Sequence, residues 1–187
     1  MFKKLIFVLT LFLFSFSSNI QSKERSTMIM KLKSGEVKIE LFDDVAPNHV
    51  KRIKTLADSG KYDGVAFHRV IDGFMAQTGD VKFGNTKLDF NAQMVGTGGS
   101  EFPDLKAEFN NIPHQRGVLS MARSQSPDSA NSQFFICFDS HPHLDRNYTA
   151  FGRVISGMEF VDKLKKGAPG SGVVDNPDTI ISLRSSK

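Results

Sequence analysis

Alternation of apolar and charged residues at every second position constrains this chain more than any other feature. From Thr27 to Leu32, and again from Glu36 to Leu41, hydrophobic side chains alternate with Lys and Glu, and Ser34-Gly35 joins the two runs. A period of two sends successive side chains to opposite faces, so the pair predicts a β-hairpin with one buried face. Further runs rich in β-favouring residues lie at Val65 to Val70, Gly73 to Thr78, Gly117 to Ala122, Gln133 to Phe138, Thr149 to Ile155 and Thr179 to Leu183. Helical spacing occurs in two places. Val50, Ile53, Leu56 and Ala57 follow Asp43-Asp44 and Pro47 and stop at Gly60, which reads as a helix with an acidic start and a glycine end. Met158, Val161 and Leu164, within Gly157 to Lys166, suggest a second. Many short strands with two helices favour an antiparallel barrel or sandwich over an α/β sheet, in which helices would alternate regularly with strands.

A chain of 187 residues supports one well-buried core and is short for two domains. The single cysteine, Cys137, excludes an intramolecular disulfide and a multi-cysteine zinc cluster. At the N-terminus, Lys3 and Lys4 precede the apolar run Leu5 to Phe14, and small polar residues follow to Ser22. That is the layout of a cleaved secretory signal peptide, expected over residues 1–22, leaving 23–187 as the folded domain. The apolar run is nearer ten residues than the roughly 20 that a spanning helix needs, so no stable membrane anchor is expected. With no cysteine after it, lipid anchoring is excluded. An exported protein, in the periplasm, is the expectation. The formal charge of +4 falls to +2 once Lys3 and Lys4 are removed. With both signs interspersed, nucleic acid is not an expected partner.

The sequence signals of common hydrolases are missing: there is no Gly-x-Ser-x-Gly elbow and no His-Glu-x-x-His. Cys137, between Phe134 and Phe138, reads as a buried structural thiol. His141 and His143, with Asp139 and Asp145 nearby, lack a third histidine at ligand spacing and read as a solvated loop. Gly96, Gly98 and Gly99 read as turn-formers, because no Gly-Lys-Ser/Thr follows. Two patterns resist such readings. Arg69 sits in the otherwise apolar run Phe67 to Ile71, and strand parity groups it with Phe67 and Ile71 against His68 and Val70. Parity also pairs Met75 with Gln77, and Gln133 with Phe135 and Cys137. A guanidinium beside apolar surface is costly to desolvate unless it is paired or aimed into a cleft. Pattern alone leaves both a core arginine bonded to carbonyls and a cleft donor open.

The stretch Phe67-His68-Arg69-Val70-Ile71-Asp72-Gly73-Phe74-Met75-Ala76-Gln77-Thr78-Gly79-Asp80 closely resembles the signature of the cyclophilin family of peptidyl-prolyl cis-trans isomerases. Gly96-Thr97-Gly98-Gly99, Leu119 to Arg123, Ser132 to Cys137 and Phe151 to Val154 are similar to further blocks of that family, in its order, and the resemblance runs over about residues 27 to 183. Ala122-Arg123-Ser124 and Ser129 to Gln133 resemble the bacterial members. The resemblance implies a mainly β fold, a closed eight-stranded antiparallel barrel capped by two α-helices, with the groove on its outer face. It implies no cofactor and no metal. Proline-containing peptides and unfolded protein segments are the implied partners, met by a monomer. The implied activity is isomerisation of X-Pro bonds during folding of exported proteins; the alternative is a proline-peptide-binding chaperone or interaction module on the same fold.

Carried over by resemblance, Arg69 is the catalytic arginine, supported by Gln77, with Phe74 beside it. Phe74, Met75, Phe135 and Leu144 would wall the pocket for the proline ring. Gly96, Ala122, Arg123, Ser124 and Gln133 would lie along the adjoining peptide groove. His143 stands where the eukaryotic pattern has the tryptophan associated with cyclosporin binding, and Tyr148 where it has histidine. Both would contact substrate.

Overall fold

The structure, a computed structural model, describes residues 25–186; the leader expected over residues 1–22 lies outside them. The predicted hairpin is present as β1 (Thr27–Leu32) and β2 (Gly35–Leu41), in antiparallel register from Thr27 opposite Glu40 to Leu32 opposite Gly35. Its alternation works as the sequence indicates: Met28, Met30, Leu32, Val37, Ile39 and Leu41 all enter the main core. Each such burial contributes about 1.5–3 kcal/mol relative to exposure.

Helix α1 (Pro47–Asp58) turns Val50, Ile53, Leu56 and Ala57 onto the same core. Its start differs from the expectation. Asp43 accepts hydrogen bonds from Ser26 and Asp44 pairs with Arg25, so neither carboxylate caps the helix. Glu108, from a distant loop, does so instead: its oxygens accept the backbone N–H groups of Asn48 and His49. This cap depends on a contact 59 residues away in sequence, which local pattern does not reveal.

The remaining strands are β3 (Arg69–Ile71), β4 (Met75–Thr78), β5 (Val118–Met121), β6 (Phe134–Cys137), β7 (Ala150–Ser156) and β8 (Ser182–Ser185), with α2 (Met158–Asp162) between the last two. They form one curled antiparallel sheet in the order β3-β4-β6-β5-β7-β2-β1-β8. Register shifts at Lys38/Ile39 and Leu119/Ser120 interrupt its ladders, a device that bends and twists strands. The end strands β3 and β8 are not paired with each other, so a continuous closed ladder, as expected from the resemblance, is not what the hydrogen bonds draw. The segments preceding them do meet: Gly64 N–H donates to the Ile180 carbonyl, Ile180 N–H to Val65 and Phe67 N–H to Asp178.

Two strands are displaced from expectation for the same reason. The first run was expected from Val65, but regular pairing begins only at Arg69, because Val65 and Ala66 make single bridges to Asn85 and Thr179. Phe67 therefore escapes strand parity and lies in the main core, not on the face of Arg69 and Ile71. The closing strand begins at Ser182, since Thr179 and Ile180 are engaged in that irregular seam. Outside the main core, a second apolar cluster of Met75, Phe135, Cys137 and Leu144 forms on the other face of β4 and β6, flanked by Phe74, Ala122 and Tyr148.

Candidate functional site

The second cluster floors a pocket of about 540 Å³. Met75 comes from β4 and Phe135 from β6, opposite Cys137 and Gln77 in the strand register. Phe74 sits in the turn that joins β3 to β4, where Gly73 adopts a left-handed φ of 68° and Phe74 N–H bonds back to the Ile71 carbonyl. Leu144 arrives from a short 3-10 turn, Pro142–Leu144, and is buried. Tyr148 meets Phe135 edge to face at 5.8 Å, and exposed His143 lies 5.9 Å from the Phe74 ring, tilted by 33°. All these side chains line the pocket, together with Arg69, Gln77, Ala122 and Arg123.

Arg69 is half-buried at the rim. Its Nε donates to the Ser171 carbonyl at 3.1 Å, and Nη1 lies 3.5 Å from Gln77 Oε1, the outer limit of a hydrogen bond. Among the described residues Nη2 has no acceptor, so the guanidinium is oriented on one side and open on the other. Of the two readings left open by pattern, the rim position is the one found.

Gln77 is itself held. Its Nε2 donates to Gln133 Oε1 at 3.0 Å, and Gln133 Nε2 donates to the carbonyls of Gly96 and Gly98 at 3.0 and 2.8 Å. Gly96, Ser124 and Gln133 line a second hollow of about 380 Å³ that shares Gln77, Ala122 and Arg123 with the first. Every site residue expected from the sequence therefore lines one of two adjoining hollows. The Arg123 guanidinium donates to the carbonyls of Ser124, Gln125 and Asn147 and lies 4.6 Å over the Tyr148 ring. It holds the groove wall together, and its side-chain donors already have partners.

Sequence reasoning missed Asn147, which lines the first hollow, and Thr97, Gly98, Ser129 and Asn131 in the second. It also missed Ser171, which acts through a backbone carbonyl 102 residues from Arg69 and leaves no side-chain signal. The histidine loop has its own internal partners: His141 Nε2 lies 3.0 Å from the Phe74 carbonyl, and Asp145 is hydrogen-bonded to His114. Among the described residues no group of three or more His, Cys, Asp or Glu side chains is placed to hold a metal.

Titratable groups beneath the pocket are tuned by burial. Cys137, fully buried, has its thiol pushed up to about 12 by burial, with the Asp145 charge adding to it, which makes it a poor nucleophile. His114 stacks 6.3 Å from Phe135, with Nδ1 at 2.9 Å from Asp145 and Nε2 at 2.9 Å from Ser120. Burial pulls its pKa below the ordinary 6.5 against the opposing pull of Asp145. The neutral ring donates from Nδ1 to the carboxylate and accepts the Ser120 hydroxyl at Nε2. Ser120 is fully buried, so this Ser-His-Asp arrangement supports the pocket floor and offers no exposed nucleophile. What the surface can do chemically is hold a compact apolar group in a hollow and present a fixed cationic donor to whatever lies beside it.

Residues 27–185 match the family described as cyclophilin type peptidyl-prolyl cis-trans isomerase/CLD. A protein of Brucella suis biovar 1 named probable peptidyl-prolyl cis-trans isomerase is 60% identical over 157 residues, covering 83% of this chain and 80% of that one. A Helicobacter pylori peptidyl-prolyl cis-trans isomerase is 41% identical over 152 residues, covering 79% and 86%. Among solved structures, a Cryptosporidium parvum cyclophilin type peptidyl-prolyl cis-trans isomerase, crystallised in the presence of the dipeptide Ala-Pro, superposes with a TM-score of 0.73 at 28% identity, over 86% of this chain and 99% of that one.

Proposed function

This chain belongs to the cyclophilin-type peptidyl-prolyl cis-trans isomerases, and from that premise we propose that it turns over X-Pro bonds of extended or unfolded segments at the Arg69 rim. Amide resonance opposes rotation about a peptide bond by roughly 18–20 kcal/mol, and X-Pro isomerisation unaided takes tens to hundreds of seconds. Catalysis needs only to bind the twisted amide better than the planar one. The hollow of Phe74, Met75, Phe135 and Leu144 takes the proline ring and holds it while the preceding carbonyl rotates. As resonance is lost, the lone pair localises on the prolyl nitrogen, and the open edge of the Arg69 guanidinium donates to it. Because Ser171 and Gln77 already orient that group, little reorganisation is needed at the moment of rotation.

The observation that carries this reading is the combination at Arg69 of two orienting contacts with an Nη2 that has no partner among the described residues, in a side chain that lines the same hollow as Phe74, Met75, Phe135 and Leu144. Flanking residues of the client lie along the second hollow, past Gly96, Ala122, Ser124 and Gln133. The protein works as a monomer, its curled eight-stranded sheet bringing the segments at residues 64–67 and 178–180 together. Residues 1–22 act as a cleaved leader that delivers it to the periplasm, where newly exported chains are its clients.

Exchange NMR on a short proline peptide, with no coupled protease, tests the activity of wild type beside Arg69→Ala. Loss of exchange enhancement with retained suppression of aggregation supports catalysis as a separable activity. Equal enhancement by both proteins overturns the assignment of Arg69, and no enhancement by wild type leaves the binding-module alternative. N-terminal sequencing of the exported protein tests the leader: a mature chain that still begins at Met1 overturns it.

A further inference from the structure

Asp80 follows β4 and is fully buried, yet among the described residues it has no salt-bridge partner. Four backbone N–H groups satisfy its carboxylate. Oδ1 accepts from Lys82 and Phe83 at 3.1 and 2.9 Å, and Oδ2 accepts from Gly96 and Gly98 at 2.7 and 2.9 Å. A buried carboxylate so surrounded is a strong local organiser, because each charge-assisted bond is short and the group has nowhere else to be solvated. One oxygen fixes the turn that begins at Asp80 itself. The other reaches 16 and 18 residues along the chain and fixes the glycine turn.

That glycine turn faces the other way as well. With their N–H groups on Asp80, Gly96 and Gly98 direct both carbonyls at Gln133 Nε2. Carbonyl oxygens only accept, so the Gln133 amide must present its NH2 to them and its Oε1 to Gln77. Gln77 must then present NH2 to Gln133 and its Oε1 to Arg69, which can only donate. The polarity of each amide is set by the one before it, starting at the Gly96 and Gly98 carbonyls, whose place the carboxylate fixes.

We propose that Asp80, which touches no substrate, is a positioning residue for catalysis, fixing the Arg69 guanidinium through the Gly96/Gly98 carbonyls and the Gln133-Gln77 amide pair. The inference rests on Arg69 being the donor described above. Asp80→Asn keeps the size of the side chain but turns an NH2 group towards two N–H donors, whichever way the amide lies. The side chain can then no longer hold both turns at once, and the Gly96 and Gly98 carbonyls lose their fixed place against Gln133.

The test is a double-mutant cycle with Gln133→Leu, read by exchange NMR on a proline peptide, with thermal unfolding followed on each variant. Asp80→Asn is expected to lower kcat/KM about tenfold or more in the otherwise wild-type protein, through kcat with little change in KM, and less than about twofold once Gln133→Leu has cut the series. A purely structural role would lower stability and rate by the same factor in both backgrounds, and that result overturns the proposal, as does an Asp80→Asn protein of wild-type rate. Should Asp80→Asn fail to fold, Gly98→Ala serves in its place: a Cβ there would clash with Asp80 Oδ1 and push the turn off the carboxylate. The same dependence on Gln133 is expected, and its absence is equally fatal. Arg69→Ala is measured alongside. Wild-type rate in that variant would sink the reading of Arg69 itself, whereas loss of rate there with background-independent Asp80 effects would sink only the positioning series.

Discussion

Arg69 and Gln77 stand opposite each other in the register of β3 and β4, with the guanidinium Nη1 3.5 Å from the amide oxygen. The contact is too long to hold the arginine on its own, and the 3.1 Å bond from Nε to the Ser171 carbonyl shares the task. Orientation of the donor thus comes from a neighbouring strand and from a loop far along the chain, while Nη2 is left without a partner among the described residues.

Removing the donor should be costly for rate and cheap for stability. Arg69→Ala is expected to lower kcat/KM by roughly 10²–10³, the usual loss when a preorganised donor is removed. Arg69→Lys should recover little of it, since an ammonium cannot contact Ser171, Gln77 and substrate from one planar fork. Steady-state or exchange kinetics beside thermal unfolding check both; a lysine variant within threefold of wild type would argue against the fork geometry.

The rate should depend weakly on pH. No proton transfer is required, and an arginine guanidinium stays cationic across the working range. His114, beneath Phe135, is held neutral by burial below its ordinary 6.5. Assays from about pH 6 to pH 9 should therefore trace a shallow curve and not the bell of acid-base catalysis; an optimum governed by a single ionisation would contradict the mechanism.

Phe135 joins the pocket floor to the body of the protein: it is buried, stacks on His114 and meets Tyr148 edge to face. Phe135→Ala should destabilise by about 3 kcal/mol and raise KM for proline peptides more than it lowers kcat. Denaturant titration measures the first effect and initial rates the second.

Stability should fall as the medium is acidified, in two stages. Burial holds the pKa of His49, His68 and His114 below the ordinary 6.5. Below that value the unfolded chain takes up protons that the folded one refuses, so unfolding is favoured by up to about 1.4 kcal/mol per pH unit for each imidazole. Above about pH 7 these histidines contribute no slope. Asp63 is held below its ordinary 3.8 by Arg184, and Asp145 by the backbone N–H and ring of His114. Their stabilisation is full above 3.8 and is lost as pH falls through the lowered values. Thermal unfolding at several pH values, with proton uptake on unfolding measured by calorimetry, checks the sign; greater stability at pH 5 than at pH 7 would refute it.

From sequence alone the hairpin of β1 and β2, the apolar face of α1 and the grouping of Phe135 with Cys137 on one strand face were determined, because periodicity is a local property and burial follows it. The order of the motif blocks around Arg69, Gln77 and Gln133 also carried the family resemblance that the match over residues 27–185 bears out. Tertiary structure alone decided where pairing begins, so that Phe67 joins the core while Arg69 reaches the rim, and it alone supplied the Glu108 cap on α1, the Ser171 carbonyl on Arg69 and the four donors on Asp80. These are hydrogen bonds between backbone and side chain, many across long separations. A backbone N–H or carbonyl is the same at every position apart from proline, so no residue type announces which one will be used until the chain has folded.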